Sequence, residues 1–178
     1  YSGYPHHTVI FSDLPFSVPS KHHRSVLDAI SKFISQEDDL NMSLTAVEYL
    51  WKFCDHLLEV QNVQEWLKGL QLFLGFGCES RNEIRNASIQ SLFRCASSRN
   101  PAITSDLWDK IFADIFFQLI EKIHTLQYEE SAIYTLQGLS NIVFNMMDYF
   151  FTEGSFSTFP DWWERICAKL KTLLLDGS

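Results

Sequence analysis

The stretch LNMSLTAVEYLWKFCDHL, residues 40–57, decides the fold. Leu44, Val47, Leu50, Trp51, Cys54 and Leu57 recur at three- and four-residue intervals, the spacing of one buried helix face. The same stretch opens with Asn41-Met42-Ser43, formally an acceptor for an N-linked glycan, and Asn86-Ala87-Ser88 is a second. Both triplets sit at or inside an expected helix, so Asn41 or Ser43 reads better as a helix cap. That reading places the chain inside the cell.

Outward from this helix the pattern repeats. Upstream, a first helix starts near Ser20 as N-cap and buries Val26, Leu27, Ile30, Phe33 and Ile34. Residues 1–20, with Gly3, Pro5, Pro15 and Pro19, are expected to be extended or looped, with TVIF at most a short edge strand. Downstream, a helix over 63–76 carries Trp66, Leu67, Leu70 and Leu74 and stops at Gly75 and Gly77, where a positive φ is expected. A fourth, RNEIRNASIQSLFRCAS, places Ile84, Ala87, Ser88, Ser91, Leu92 and Cys95 on one face. The fifth, from Leu107 to Ile123, is apolar almost all round and must be central. A sixth runs from about Glu129 to Phe151, with Ile133, Leu136, Leu139 and Ile142 inward, and a last starts near Pro160. The fold class is all-α: about seven helices in a HEAT- or armadillo-like stack of antiparallel pairs. The pairs begin near residues 22, 63 and 105, a period close to the ~40 to 47 residues of such repeats. Residues 21–178 form one helical repeat domain, expected to be a piece of a larger protein.

Composition excludes several functions. The net charge of -8 repels a phosphate backbone, and the scattered Lys and Arg make no basic run for anionic lipid. No apolar run approaches the ~20 residues of a membrane span. Cys54, Cys78, Cys95 and Cys167 lack metal spacing and lie in helical patterns, as reduced thiols do. The six histidines, His6, His7, His22, His23, His56 and His124, form no HExxH and read as surface residues. GFGCES follows a helix instead of a strand and lacks the third glycine of a dinucleotide fingerprint. No GxSxG elbow or Glu-x-x-His pair is present. No catalytic residue, metal or cofactor is expected. The stretch MMDYFFTEGSFSTFPDWW, residues 146–163, concentrates aromatics; most are core, but Phe150, Phe151, Phe156 and Phe159 flank a glycine loop and could anchor a partner.

Three segments carry a family resemblance. LNMSLTAVEYLW resembles the pattern LNISLTAIGLLW, RNEIRNASIQSLF resembles RPEVRKSAxxTLF, and LWDKIFADIFFQLIEKI resembles the Trp-containing helix after it, in the Mon-two (monensin-sensitivity) Golgi scaffolds. These are relatives of the large Sec-seven-type Arf exchange factors, which share the second and third segments. The resemblance covers roughly residues 36–123 and continues loosely through AIYTLQGLSNIVF. Matching positions are Ser43, Leu44, Thr45, Ala46, Leu50, Trp51, Arg81, Glu83, Arg85, Leu92, Phe93 and Trp108. Leu44, Leu50, Trp51, Leu92, Phe93 and Trp108 read as core, and Glu83 with Arg85 as polar groups tying the turns between helices. SSRNPA replaces the family's His-Gly, and VEYLW replaces IGLLW, so that turn and one helix face are expected to differ. The resemblance implies a non-enzymatic scaffold segment, peripheral on trans-Golgi and endosome membranes, working with a Dopey-type protein, a phospholipid flippase complex and an Arf or Arf-like GTPase. The alternative it implies is a regulatory segment of a catalytically active Arf exchange factor. A third class, a lipid- or small-molecule-binding helical domain, would need an apolar cavity.

Overall fold

The computed structural model describes residues 18–97, 103–152 and 159–175. The expected extended segment and TVIF strand lie outside them, apart from Val18 to Ser20. A 3-10 turn, Ser20–His22, leads into α1 (His23–Ser35), followed by α2 (Leu40–Glu59), α3 (Val63–Phe76) and α4 (Asn82–Ala96). One continuous rod then runs through α5 (Ser105–Ile111), a π-helical stretch (Phe112–Phe116) and α6 (Phe117–Leu126), before α7 (Glu129–Thr152) and α8 (Phe159–Leu175). Counting that rod once, seven helices stand among the described residues where the periodicity puts them.

Adjacent helices pack as pairs: α1 with α2, α3 with α4, and the α5–α6 rod with α7. The pairs stack so that α2, α4 and α7 form one row, while α1, α3, the rod and α8 form the other. This two-row stack buries Leu50, Phe53, Trp66, Phe73, Ile84, Leu92 and Phe116 in one continuous core. The rod lies deep within it, with Ile111, Phe112, Ile115, Phe116, Phe117, Leu119 and Ile123 all buried. A π turn takes one more residue than an α turn, and here it lets adjacent Phe116 and Phe117 both face the core. Phe116 stacks on Phe93 of α4 at 5.0 Å between ring centroids.

Several local expectations are corrected. Asp39, not Asn41 or Ser43, caps α2, its Oδ1 accepting from the Met42 amide at 3.1 Å. Ser20 lies inside the 3-10 turn, whose cap position is Pro19. Gly77 ends α3 with φ -65°, so its lack of a side chain serves close packing: a Cβ there would lie 2.9 Å from the Phe73 carbonyl oxygen and 3.2 Å from Ile89. Among the described residues, the non-glycine positive-φ positions are Gln61 and Gln127, each just after a helix. Phe33 and Ile133, expected inward, are 44% and 55% exposed. His23 is buried, its Nε2 at 2.9 Å from the Val18 carbonyl and its Nδ1 accepting from Asn62 at 3.0 Å. A histidine with both ring nitrogens met by local partners is a core residue, which spacing alone does not show.

Candidate functional site

Much of the buried polar chemistry of the stack gathers at the first turn of α4 and the loop before it. Arg81 sits at the N-cap position of α4 and reaches back to the end of α1. Its Nη2 donates to the Ile34 carbonyl and its Nη1 to the Gln36 carbonyl, both at 2.8 Å, while Nε pairs with Glu79. The last carbonyls of a helix have no partner within it and carry the negative end of its dipole, so a guanidinium there satisfies both needs. Ser43, fully buried on α2, completes this corner: its hydroxyl donates to the Gln36 carbonyl at 3.1 Å and accepts from Gln36 Nε2 at 2.7 Å. The hydrogen bond and charge of Glu79 hold the Arg81 pKa above its already high ordinary value.

One turn on, Arg85 faces the other way. It is only 6% exposed, and its donors are spent on Ser131 Oγ (2.8 Å), the Glu79 and Ser80 carbonyls (2.8 and 3.0 Å) and Asn82 Oδ1 (2.6 Å). The Tyr128 ring covers its guanidinium at 3.7 Å. Ser131 of α7 donates its own proton to Asn86 Oδ1 at 2.6 Å, and Asn82 donates to Glu130 at 3.0 Å. A buried cation is tolerated only when its donors are met, and here neutral oxygens and an aromatic face meet them. The N-terminal end of α4 therefore ties the first helix pair through Arg81, at the cap, and the third through Arg85, within the helix. Arginine is permanently charged, so this clamp fixes shape and moves no protons.

The other motif positions support the clamp or the core. Ala46, Leu50, Leu92, Phe93 and Trp108 are buried, Leu44 is half-buried, and Thr45 is exposed, its hydroxyl donating to the Asn41 carbonyl. Trp51 is half-buried under the Arg94 guanidinium, 3.5 Å from its ring centroid. Glu83, expected to tie a turn, is exposed on the first turn of α4, where an acid complements the helix dipole; the acid in the clamp is Glu79. Phe156 and the side chains of Phe150, Phe151 and Phe159 lie outside the described residues. Sequence reasoning missed Asn82, Asn86, Tyr128 and Ser131. A signal existed: Arg81-Asn82 recurs as Arg85-Asn86 four residues on, which repeats one polar stripe on a helix.

Among the described residues, one open groove adjoins the Arg81 corner through Gln36 and another lies further along α4. One, of about 710 Å³, lies between α1 and the start of α2 and is lined by Asp28, Ala29, Phe33, Asp38, Asp39 and Met42 among others. The second, of about 380 Å³, lies between α4 and α7 and is rich in amides: Gln90, Gln137, Asn141 and Asn145. Among the described residues no group of three or more His, Cys, Asp or Glu side chains could hold a metal ion, and no helix is long and apolar enough to cross a membrane.

Over 131 residues the chain is 26% identical to "Monensin-resistant homolog 2" of Caenorhabditis elegans, a match covering 69% of this chain and 8% of that protein. It is 24% identical to "Protein MON2 homolog" of Caenorhabditis briggsae over the same shares of each chain. The chain is a distant relative of both, and it spans about 8% of the length of these curated relatives. No family model and no solved structure matches it.

Proposed function

We propose that the chain is a non-catalytic helical segment of a Mon-two-type membrane-trafficking scaffold, acting at trans-Golgi and endosome membranes by presenting helix faces to protein partners. The observation that carries this reading is the 26% identity to Monensin-resistant homolog 2 over 69% of the chain. The geometry supports it from another direction: the motif residues Ser43, Arg81 and Arg85 hold helix pairs in register, which is what a scaffold asks of them. The partners that follow are a Dopey-type protein, the phospholipid flippase complex with it, and an Arf or Arf-like GTPase. Attachment to the membrane is peripheral, through those partners.

The test is size-exclusion co-migration of the purified chain with a Dopey-type protein and, separately, with GTP- and GDP-loaded Arf or Arf-like GTPase. Co-migration with the Dopey-type protein is the expected result. Co-migration with a GTPase in its GTP form alone would favour a regulatory segment of an Arf exchange factor, whose family shares the RNEIRNASIQSLF and Trp-helix segments. Failure to bind any of them by a folded chain would overturn the scaffold contact.

A further inference from the structure

The groove between α1 and α2 combines two features that a merely solvated surface lacks. Its lining includes two large exposed apolar side chains: Phe33 and Met42 are each 44% exposed. Large apolar side chains gathered at one concave place, instead of scattered singly, mark contact surfaces. Its rim is acidic, with Asp28 on α1 and Asp38 and Asp39 in the loop, against Lys32 as the one cation among its lining residues. An excess of one sign of charge around a cleft with low-dielectric walls attracts the opposite charge, and here the excess is acidic. The groove is also held in shape from behind. Gln36, one of its lining residues, is pinned by Ser43 and by Arg81, so no ordering of the loop is needed on binding.

We propose that this groove docks a basic peptide segment of a partner protein, with an apolar side chain seated on Phe33 and Met42 and flanking Lys or Arg residues paired with Asp28 and Asp38. The inference rests on the scaffold reading and names the chemistry of one contact within it. Charge decides the occupant. Residues 1–17 of this chain contain no Lys or Arg and one Asp, so they do not complement the rim. A second copy of the chain, at net charge -8, is repelled on average. An anionic membrane surface is repelled for the same reason.

The experiment is a display library of short random peptides panned against the full chain, with selected peptides then measured by fluorescence polarisation against wild type and two variants. The variants are Asp28→Asn with Asp38→Asn, and Phe33→Gln; all three positions are exposed, and helicity by circular dichroism confirms folding. The expected winners carry Lys or Arg around Leu, Met, Phe or Trp. Their affinity should fall about tenfold in the double Asn variant and at high salt, as for an interface held partly by charge. Phe33→Gln should weaken them at every salt concentration. Enrichment of neutral or acidic peptides, no enrichment, or binding that ignores both variants would overturn the proposal, as would binding gained only after deletion of residues 1–17. If the double Asn variant still co-migrates with the Dopey-type protein while the peptides fail, the scaffold reading stands and the groove inference falls.

Discussion

Ser43 and Ser88 are equally buried and chemically opposite. The Ser43 hydroxyl is a node of the Arg81 corner, so Ser43→Ala leaves Gln36 and a carbonyl short of a partner and should cost about 1–3 kcal/mol by urea unfolding. The Ser88 hydroxyl has no hydrogen-bond partner, so Ser88→Ala should be neutral or stabilising by up to about 1 kcal/mol. A loss at Ser88 comparable to that at Ser43 would show that the Ser88 hydroxyl is met in solution. Cys95 gives a pH prediction. Burial first, and then its hydrogen bond with Cys54, holds its thiol well above the ordinary range near pH 9. Because the folded value is the raised one, its contribution to stability is complete below the unfolded thiol's pKa and is lost as pH climbs through about 9 toward the folded value. Unfolding midpoints should therefore decline above pH 9, and Cys95→Ala should flatten that decline while lowering stability at neutrality. Alkylation followed by mass spectrometry should mark exposed Cys167 first, and buried Cys54 and Cys95 only on unfolding.

At the scale of the element, helix existence was legible and helix detail was not, for a physical reason. Periodicity reports which side of a helix is apolar, and it placed α3 at its observed ends and the core faces of α2 and α4 near theirs. It could not show which apolar residue ends at the edge of the stack: Phe33 belongs to the same stripe as the core positions Ile30 and Ile34, yet opens onto the groove. It could not show a π stretch either, because the rod is apolar all round and an extra residue per turn leaves no gap in the pattern. Glycines make the same point testable. A Cβ on Gly138 would lie 2.1 Å from Cδ2 of Phe93, so α7 approaches α4 closely because this side chain is missing. Gly138→Ala should therefore destabilise by about 1–3 kcal/mol through overpacking. Gly75, inside α3, has nothing within 4 Å of that position, and Gly75→Ala should stabilise by about 0.5–1 kcal/mol. Thermal melts of the two variants should move in opposite directions. Equal shifts would mean that helix propensity outweighs packing at both sites.

At the scale of the whole molecule, the stack is held by contacts between neighbouring pairs, and the N-terminal turn of α4 touches both of its neighbours. The sequence made Arg81 and Arg85 visible as motif positions but not their opposite directions, since four residues along a helix place two side chains on one stripe. What separates them is position: Arg81 lies before the first helical turn and swings to the end of α1, while Arg85 is inside the helix and faces α7. In a quasi-one-dimensional stack the loss of one contact is felt mainly by the pairs that share it. Arg81→Met should therefore raise amide hydrogen exchange in α1 and the first turns of α2, leaving α7 protected. Arg85→Met, which strands the Glu79 and Ser80 carbonyls and Ser131, should raise exchange in α7 and in the loop before α4, leaving α1 protected. The second change should cost more, about 2–4 kcal/mol against about 1–2 kcal/mol, because Arg85 is buried and its loss strands several neutral acceptors, whereas Arg81 is partly wet. Uniform loss of protection along the chain in either variant would show that the helices open as one cooperative unit, and that the two arginines are not separate links between pairs.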